Sequence, residues 1–444
     1  MGFLSTILFA IFLVLGFGYF YFNIKKIVRN INLGTAVNRK DNPKARWKNM
    51  AMIALGQSKM VKRPVAGILH IIVYAGFIII NIELLEIIID GLFGTHRIFA
   101  FLGTSYNVLI GSFEILAFLV LVSVFTFWIR RNIIRLKRFA NKDLTGFPKN
   151  DANYILYFEV VLMTLFLLMN ASDLHLQNIP GGFSHFIKAG FFPISQFIEP
   201  LFNGVSSNLV FILNEMFWWL HIIGILIFMN YLYYSKHLHI LLAFPNTYFA
   251  DLNPKGQLSN LESVTNEVKL MMDPNADPYA TPVLDENAVP SKFGASDIQD
   301  LNWVQLMNAY TCTECGRCTS SCPANITGKK LSPRKIMMDT RDRIEEVGKN
   351  IDANNGVFVP DNKSLLNDYI TPEELWACTS CNACVEECPV NISPLSIIVD
   401  LRRYLVMEQS AAPTSLNAMM TNIENNGAPW QYNQQDRLNW KNEI

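Results

Sequence analysis

The sequence predicts a mainly α protein in two parts: a five-helix transmembrane bundle followed by a cytoplasmic α-helical domain. Five apolar runs lie in the first half of the chain. Each has roughly 20 residues, which as a helix crosses a hydrocarbon core of about 30 Å. All eight cysteines lie in the second half, in two groups with helical patterns around them. We therefore expect the first half to lie in lipid and the second half, with the cysteines, to lie in water.

We predict membrane spans at about 3–23, 65–89, 105–129, 153–172 and 208–234. The segment 183–203 is moderately apolar but contains Lys188, Pro193 and Pro200. We expect it to lie on the outer surface, because a sixth span would place the cysteines outside. Met1 to Ala10 contain no Lys or Arg, so we expect a first span and not a cleavable signal peptide.

The distribution of positive charge predicts the orientation of the bundle. The loops after the first and third spans are strongly basic. The loop after the first span contains Lys25, Lys26, Arg29, Arg39, Lys40, Lys44, Arg46, Lys48, Lys59, Lys62 and Arg63. The loop after the third span contains Arg130, Arg131, Arg135, Lys137, Arg138 and Lys142. Basic loops stay in the cytoplasm. We therefore expect a multi-pass protein of the inner (cytoplasmic) membrane, with its N-terminus outside and its cysteine domain in the cytoplasm. The net charge of zero gives no indication of a nucleic-acid partner.

Changes in composition divide the chain into four parts. We predict a transmembrane domain over 1–245, a proline-interrupted linker over 246–300, a cysteine domain over 301–410 and a tail over 411–444. The cysteine domain contains an internal repeat, since Cys-Pro-Ala-Asn-Ile-Thr and Cys-Pro-Val-Asn-Ile-Ser each lead into a helix that begins near a proline.

The cysteines form two C-x2-C-x2-C-x3-C-P runs, a spacing typical of proteins that hold two [4Fe–4S] clusters. In such proteins the fourth cysteine of each run ligates the other cluster. We therefore predict two ligand sets, one of Cys312, Cys315, Cys318 and Cys388, and the other of Cys378, Cys381, Cys384 and Cys322. Zinc is the alternative, but its sites are usually built from pairs of cysteines. No cysteine is left over for a disulfide framework.

A helical stretch from Leu331 to about Val347 separates the two runs. With this insertion the domain resembles the helical ferredoxin found in the small iron–sulfur subunit of heterodisulfide reductases and in related subunits of glycerol-3-phosphate and glycolate dehydrogenases. The tail from Ser415 to Trp440 resembles the segment that precedes a cysteine-rich CCG module in fused relatives. The resemblance implies a separate partner, either the CCG-domain subunit of the heterodisulfide-reductase type or a dehydrogenase subunit.

Three histidines are candidate cofactor ligands. His70 lies in the second span, and we place His221 and His239 on one face of a fifth helix, about five turns apart. Antiparallel spans would bring His70 and His239 to the same depth near the cytoplasmic side. Because imidazole is the usual axial ligand of haem b, we predict that these two histidines bind one haem there. The alternative is that these histidines only bind neighbouring helices through hydrogen bonds.

Residues 1–250 resemble the cytochrome b (gamma) subunit of respiratory nitrate reductases and its heterodisulfide-reductase relatives, with paired histidines on the second and fifth helices. That pattern implies one haem b, or two. The second histidine of an outer haem is replaced here by Ile80 and Asn81. His221 would then pair with a ligand such as His175, or serve a quinone site.

Five carboxylates are predicted near membrane depth: Glu83, Glu86, Glu114, Glu159 and Glu215. Each either carries protons or makes polar contacts between helices. The chain as a whole is expected to be a subunit of a quinone-linked, heterodisulfide-reductase-like oxidoreductase that relays electrons between a cytoplasmic partner and the membrane quinone, its substrate. The alternatives are a haem-free, membrane-anchored ferredoxin subunit of a quinone-linked dehydrogenase, and an iron–sulfur redox sensor.

Overall fold

The computed structural model describes residues 3–141, 143–179, 186–274 and 292–442. Within these ranges the chain is mainly helical, has no β-strand, and forms an apolar helix bundle and a helical cysteine domain. The mainly α fold class, with five membrane-length helices ahead of a helical cysteine domain, is confirmed.

Five helices are long and apolar enough to cross a membrane: α1 (Phe3–Ile31), α3 (Pro64–Phe93), α4 (Thr104–Asn132), α5 (Gly146–Gln177) and α6 (Ser207–Tyr231). Helices α1, α3, α4 and α5 are longer than their predicted spans because polar residues continue each helix at its ends, whereas α6 ends three residues before its predicted span does. The short α2 (Pro43–Met50) precedes α3 and continues into one π-helical turn, Ala51–Leu55.

Helices α3 to α6 pack in sequence order, and α1 closes the bundle against α3 and α6. Phe9 of α1, Ile110 of α4 and Phe166 of α5 are fully buried in the shared core. Gly91 allows the close approach of α1 to α3, because a Cβ there would lie 2.5 Å from the Phe9 ring.

No sixth span exists between α5 and α6 in the described part of that connection. Residues 186–206 form irregular structure with two 3₁₀ turns, Ser195–Phe197 and Glu199–Phe202. The Glu114 carboxylate accepts hydrogen bonds from the backbone N–H groups of Ile194 (2.9 Å) and Ser195 (3.1 Å), which holds the connection against the bundle. Residues 183–185 of the predicted surface segment lie outside the described residues.

The prediction of one continuous fifth helix carrying both His221 and His239 is wrong. Helix α6 ends at Tyr231 and is followed by two 3₁₀ turns, Leu232–Tyr234 and Lys236–Leu238, which the extended residue Ser235 separates. Helix α7 (His239–Tyr248) follows the second turn. The Asp151 carboxylate of α5 fixes the break, since it accepts hydrogen bonds from Tyr231 Oη (2.6 Å) and from the backbone N–H of Lys236 (3.0 Å).

The cysteine domain consists of short helices around one apolar core. They are α9 (Trp303–Thr311), α10 (Arg317–Ser320), α11 (Pro323–Ile326), α12 (Pro333–Ala353), α13 (Pro372–Trp376), α14 (Ala383–Glu387) and α15 (Pro394–Met407), while α8 (Glu262–Met272) lies before the domain and α16 (Thr414–Asn426) after it. Helices α11, α12, α13 and α15 all have proline in their first turn, and α12 and α15 are the two helices that the repeat predicts to begin near a proline.

Residues 292–300, assigned to the linker from sequence, pack into the cysteine domain. Ala295 and Ile298 are fully buried, and Asp297 forms an ion pair with Arg343 (2.7 Å), whose side chain is also completely buried. The structural domain therefore begins near residue 292. The polar composition of residues 292–300 did not predict that they belong to the cysteine domain, because Asp297 is held by an ion pair with Arg343, which is far away in the sequence.

The domain sits on the end of the bundle that carries the two basic loops. Asn30 donates a hydrogen bond to Tyr310 Oη (2.9 Å), and the backbone N–H of Thr35 donates to Leu301 (2.8 Å). In the second basic loop, Asp143 pairs with the buried guanidinium of Arg334. Both basic loops thus lie on the same side as the cysteines, as the sequence predicts.

Candidate metal centre

The two cysteine runs have the same local geometry. In the first, Cys312 follows α9, Cys315 lies in the loop, Cys318 lies in α10 and Cys322 precedes α11. Left-handed residues stand at the same places in both loops, Glu314 and Gly316 in the first and Ser380 and Asn382 in the second. Such a turn directs successive backbone N–H groups towards an anion.

Backbone N–H groups do point at the cysteine sulfurs. The N–H of Ser380 donates to Cys378 Sγ (3.4 Å), and the N–H of Ile392 donates to Cys388 Sγ (3.3 Å). These contacts stabilise thiolate, the form that ligates iron. The sulfurs are therefore arranged to carry negative charge inside a mostly apolar domain.

The structure places the fourth cysteine of each run beside the other run. Burial raises the pKa of Cys312 to about 12, with further contributions from the Glu314 carboxylate and from the neighbouring thiols of Cys315 and Cys388. Burial likewise raises the pKa of Cys384 to about 12, with contributions from Cys378 and Cys322. These neighbours are the two sets that crossed ligation predicts.

The cysteines of the first set, with Cys384, line one enclosed cavity. All eight cysteines are free thiols. In the described ranges, no group of three or more His, Cys, Asp or Glu side chains is close enough to hold a single metal ion. Thiol quartets around a cavity suit a cluster of several irons better than one zinc ion.

Cations surround both quartets. Lys59 Nζ donates to the carbonyl oxygens of Val385 (3.3 Å) and Cys388 (3.2 Å), and burial lowers the pKa of Lys59 to about 8. Arg317 lies beside Cys315, and Arg402 lies beside Cys378; burial lowers the pKa of both guanidinium groups, while the adjacent thiol opposes this. Each quartet therefore has its own arginine.

His70 and His239 do approach each other, although His239 lies on α7. Their ring centroids are 6.4 Å apart. His239 Nδ1 bonds the Lys236 carbonyl (3.1 Å), which leaves Nε2 free, and His70 Nδ1 is buried without a hydrogen-bond partner. A free ring nitrogen opposite a hydrogen-bonded one is the arrangement of a metal-ligating histidine. The pair fits an axial ligand set.

His237 is the member of this group that the sequence interpretation missed. Its ring lies 5.4 Å from that of His239 and 5.4 Å from Phe228. A continuous helix would have turned it away, whereas the break after Tyr231 turns it towards His239. A histidine-rich Lys-His-Leu-His sequence close to an apolar run was the signal that could have found it.

Arg317 joins the first cysteine set to these histidines. Its guanidinium donates to the Lys59 carbonyl (3.1 Å) and contacts Met60 Sδ (3.3 Å), just before α3 begins. It also lies near enough to His70 to interact with it electrostatically. The first cysteine set is thus the one that faces the bundle.

His221 lies elsewhere, on the wall of a cavity of about 90 Å³ inside the bundle, with Glu83, Glu159 and Asn81. Glu83 Oε2 and His221 Nδ1 are buried without hydrogen-bond partners. The structure does not bring His175 to His221, because His175 pairs with Glu199 (2.5 Å) near the end of α5.

A second polar group, not predicted as a unit, fills the end of the bundle away from the cysteines. Buried Arg97 forms an ion pair with Asp173 and donates hydrogen bonds to Tyr106 Oη (3.1 Å) and Asn170 (3.0 Å). Tyr106 donates to Glu86 (2.8 Å). Glu86 and Glu114 therefore make structural contacts, one of the two roles predicted for the membrane carboxylates.

Comparisons with known proteins agree with the cysteine geometry. Residues 311–392 match the family described as 4Fe-4S dicluster domain. Over its whole length the chain is 30% identical to a probable iron-sulfur-binding oxidoreductase, FadF, of Bacillus subtilis, and it covers 62% of that protein. Over 92% of its length it is 24% identical to an EtfAB:quinone oxidoreductase of Syntrophomonas wolfei, of which it covers 55%.

A third relative is a probable membrane-anchored ferredoxin of Chromohalobacter salexigens, 31% identical over 36% of this chain and 26% of that protein. The chain thus spans about three-fifths or less of these curated relatives. No solved structure matches it. The C-terminal region holds a 4Fe-4S dicluster domain, and the helices ahead of it in the described chain are those of a membrane protein.

Proposed function

We propose that this chain is the membrane subunit of an oxidoreductase of the heterodisulfide-reductase type, relaying electrons between a partner at the cysteine domain and quinone in the membrane. The observation that carries the proposal is the hydrogen bond from Arg317 in the first cysteine loop to the Lys59 carbonyl, just before α3, the helix that carries His70. A cluster at that set would lie directly above the histidine end of the bundle. Iron–sulfur clusters and haem, when bound, supply one-electron chemistry that side chains lack.

We assign one [4Fe–4S] cluster to Cys312, Cys315, Cys318 and Cys388, and the other to Cys378, Cys381, Cys384 and Cys322. The mutual placement of the thiols supports this crossed assignment. Crossed ligation ties the two halves of the repeat together and keeps the clusters close. We further infer an order, with the first set on the membrane side and the second on the partner side.

Cys381 of the second set is exposed, although Cys322 and Cys384 of the same set are buried. The described part of the tail, residues 411–442, contains no buried residue. No residue of α16 is buried, and Trp430 and Trp440 are each 62% exposed. Exposed aromatic residues are enriched at protein interfaces. We propose that the tail over 411–444 docks the CCG-domain or dehydrogenase subunit.

We assign His70 and His239 as the axial ligands of one haem b. The geometry of His239, with Nδ1 bound to a carbonyl oxygen, supports this role. We propose no second haem at His221, because the cavity beside it is far smaller than the roughly 300–1,000 Å³ typical of small-molecule sites. Glu83, Glu159 and His221 instead offer polar groups to water in this small cavity.

A dithionite-reduced minus oxidised visible spectrum of the purified protein tests the proposal, with haem and non-haem iron measured per chain. We expect about eight non-haem irons and a b-type α-band. Eight irons without the band would replace the relay with a haem-free anchored ferredoxin. Clusters insensitive to quinone analogues and labile in air would favour the redox sensor.

The His70→Leu variant sharpens this experiment, and Asn81→Leu is its matched control on the same helix. We expect the α-band to disappear in the first variant and to persist in the second, with iron content unchanged in both. Equal bands in both variants would exclude His70 as a ligand.

A further inference from the structure

A basic groove of about 530 Å³ lies where the bundle meets the cysteine domain. Its walls combine the start of α3, the end of α4 and the loop after α4, and Ser320 of α10 closes it from the cysteine domain. Five cations line it: Lys62, Arg63, Arg130, Lys137 and Arg138.

The five cations are only partly neutralised. Lys62 pairs with Glu386 (2.5 Å) and Arg63 with Glu387 (2.9 Å). In the described structure no carboxylate pairs with Arg130, Lys137 or Arg138. The groove therefore keeps about three uncompensated positive charges.

Arg138 is held in place without a carboxylate partner, although the Cys315 thiol lies near enough to interact with its charge. Its Nε is buried and has no hydrogen-bond partner, and its guanidinium stacks on the Phe139 ring at 4.8 Å. Its carbonyl oxygen accepts a hydrogen bond from Arg334 (2.8 Å), which fixes the loop against the cysteine domain. A buried, unpartnered donor among like charges indicates a missing anion.

The position of the groove identifies the source of that anion. Pro64 begins α3, and Arg130 lies in the last turn of α4, so the groove opens at the edge of the bilayer. Its apolar residues Val65 and Leu136 continue into the exposed side chains of Ile68, Ile133 and Ile134. A ligand with a phosphate at one end and hydrocarbon at the other matches both surfaces.

We propose that this groove binds the phosphate headgroup of one anionic phospholipid, with Arg130, Lys137 and Arg138 on the phosphate and the acyl chains along α3 and α4. Basic pockets on the cytoplasmic side of membrane helices bind such headgroups. The lipid would bridge the bundle to Ser320 in the cysteine domain. This inference requires only that the helices span a membrane, and it does not depend on haem or quinone.

Lipid binding is measured on the oxidised full chain in phosphatidylcholine nanodiscs that contain spin-labelled phosphatidylglycerol. The readout is the motionally restricted fraction of the label, with spin-labelled phosphatidylcholine as the reference. The test variant is Arg130→Gln/Lys137→Gln/Arg138→Gln. The matched control, Lys40→Gln/Lys44→Gln/Lys48→Gln, removes three exposed cations from the other basic loop and so loses the same non-specific attraction.

We expect the wild-type chain and the control to restrict phosphatidylglycerol at least about threefold more than phosphatidylcholine, and the groove variant to lose this preference. Iron content per chain shows that each variant is folded. An equal loss in both variants, or none in the groove variant, would overturn the proposal. Displacement of the label by inorganic phosphate, but not by chloride of equal ionic strength, would also overturn it, in favour of a free phosphate site.

Discussion

Arg317 donates a hydrogen bond to the backbone carbonyl of Lys59, over 3.1 Å, and so links the first cysteine loop to the segment that enters α3. The contact joins two units that are far apart in the sequence and different in composition. It places a positive charge beside Cys315 and at the same time near His70. Arg402 holds the equivalent position at the second cysteine set, where it donates to the carbonyl of Leu375 (3.0 Å).

The two arginines should tune the two clusters independently. Arg317→Gln removes a partly buried charge near one cluster, and we expect its midpoint potential to fall by on the order of 30–100 mV, since less positive charge favours the oxidised form. Arg402→Gln should lower the other potential by a similar amount. Redox titration followed by EPR measures both. A shift of both potentials in either variant would contradict the separate placement of the arginines.

Crossed ligation predicts which cluster each fourth cysteine serves. Cys388→Ser should disturb the cluster near Arg317, although Cys388 belongs to the second run, and Cys322→Ser should disturb the one near Arg402. The arginine variants show which cluster is which. In Cys388→Ser, the midpoint potential of the remaining intact cluster should shift when Arg402→Gln is added, and it should not shift when Arg317→Gln is added. The opposite response would show that each run ligates its own cluster.

Mutation can decide which of two neighbouring histidines, His237 or His239, is an axial haem ligand. If His239 is an axial ligand, His239→Ala should abolish the b-type α-band, whereas His237→Ala should leave it and alter only its position. The rings lie 5.4 Å apart, so both variants disturb the same surroundings and each serves as a control for the other. Loss of the band in His237→Ala alone would transfer the ligand role to that residue.

The sequence was sufficient for the features that local pattern determines. Apolar length gave all five membrane helices, and cysteine spacing gave the dicluster domain. The break after Tyr231 was not predictable in this way, because Ser235, Lys236 and His237 are compatible with a helix that continues beyond the membrane, and Pro245 is the first helix breaker. What ends the helix is Asp151, a residue of another helix that binds both sides of the break.

The burial of Arg97 and the packing of residues 292–300 into the cysteine domain were also not predictable from local sequence, because they depend on residues of other elements. A lone arginine in a short loop is normally exposed, and its burial here depends on Asp173 and Asn170 of α5. Asp297 is one of several acids in a polar segment, and its burial depends on Arg343. Long-range ion pairs of this kind leave no trace in periodicity or composition, so only the folded structure reveals them.

Arg97 should be essential for the stability of the bundle. Arg97→Met leaves the buried Asp173 carboxylate without its guanidinium, and breaking a buried pair costs about 3–5 kcal/mol. We expect a fall of many degrees in the thermal denaturation temperature in detergent, or loss of folded protein. Arg135→Met, which removes an exposed arginine, is the control and should change little. Equal stability of the two variants would mean that the network contributes nothing.

The seam between the bundle and the cysteine domain can be tested at Gly34. A Cβ there would lie 2.6 Å from the backbone nitrogen of Trp303, at the point where Thr35 bonds to the domain backbone.

Gly34→Ala must therefore push the two units apart. We expect faster proteolysis of the cysteine domain from the membrane part and a loss of about 1–3 kcal/mol in stability. Gly18→Ala is the matched control, because its Cβ would meet no atom within 4 Å and alanine favours the helix. If Gly34→Ala resists protease as well as Gly18→Ala does, the domain does not rest on this contact, and other contacts, among them those of Asn30, Arg317 and Arg334, hold it to the bundle.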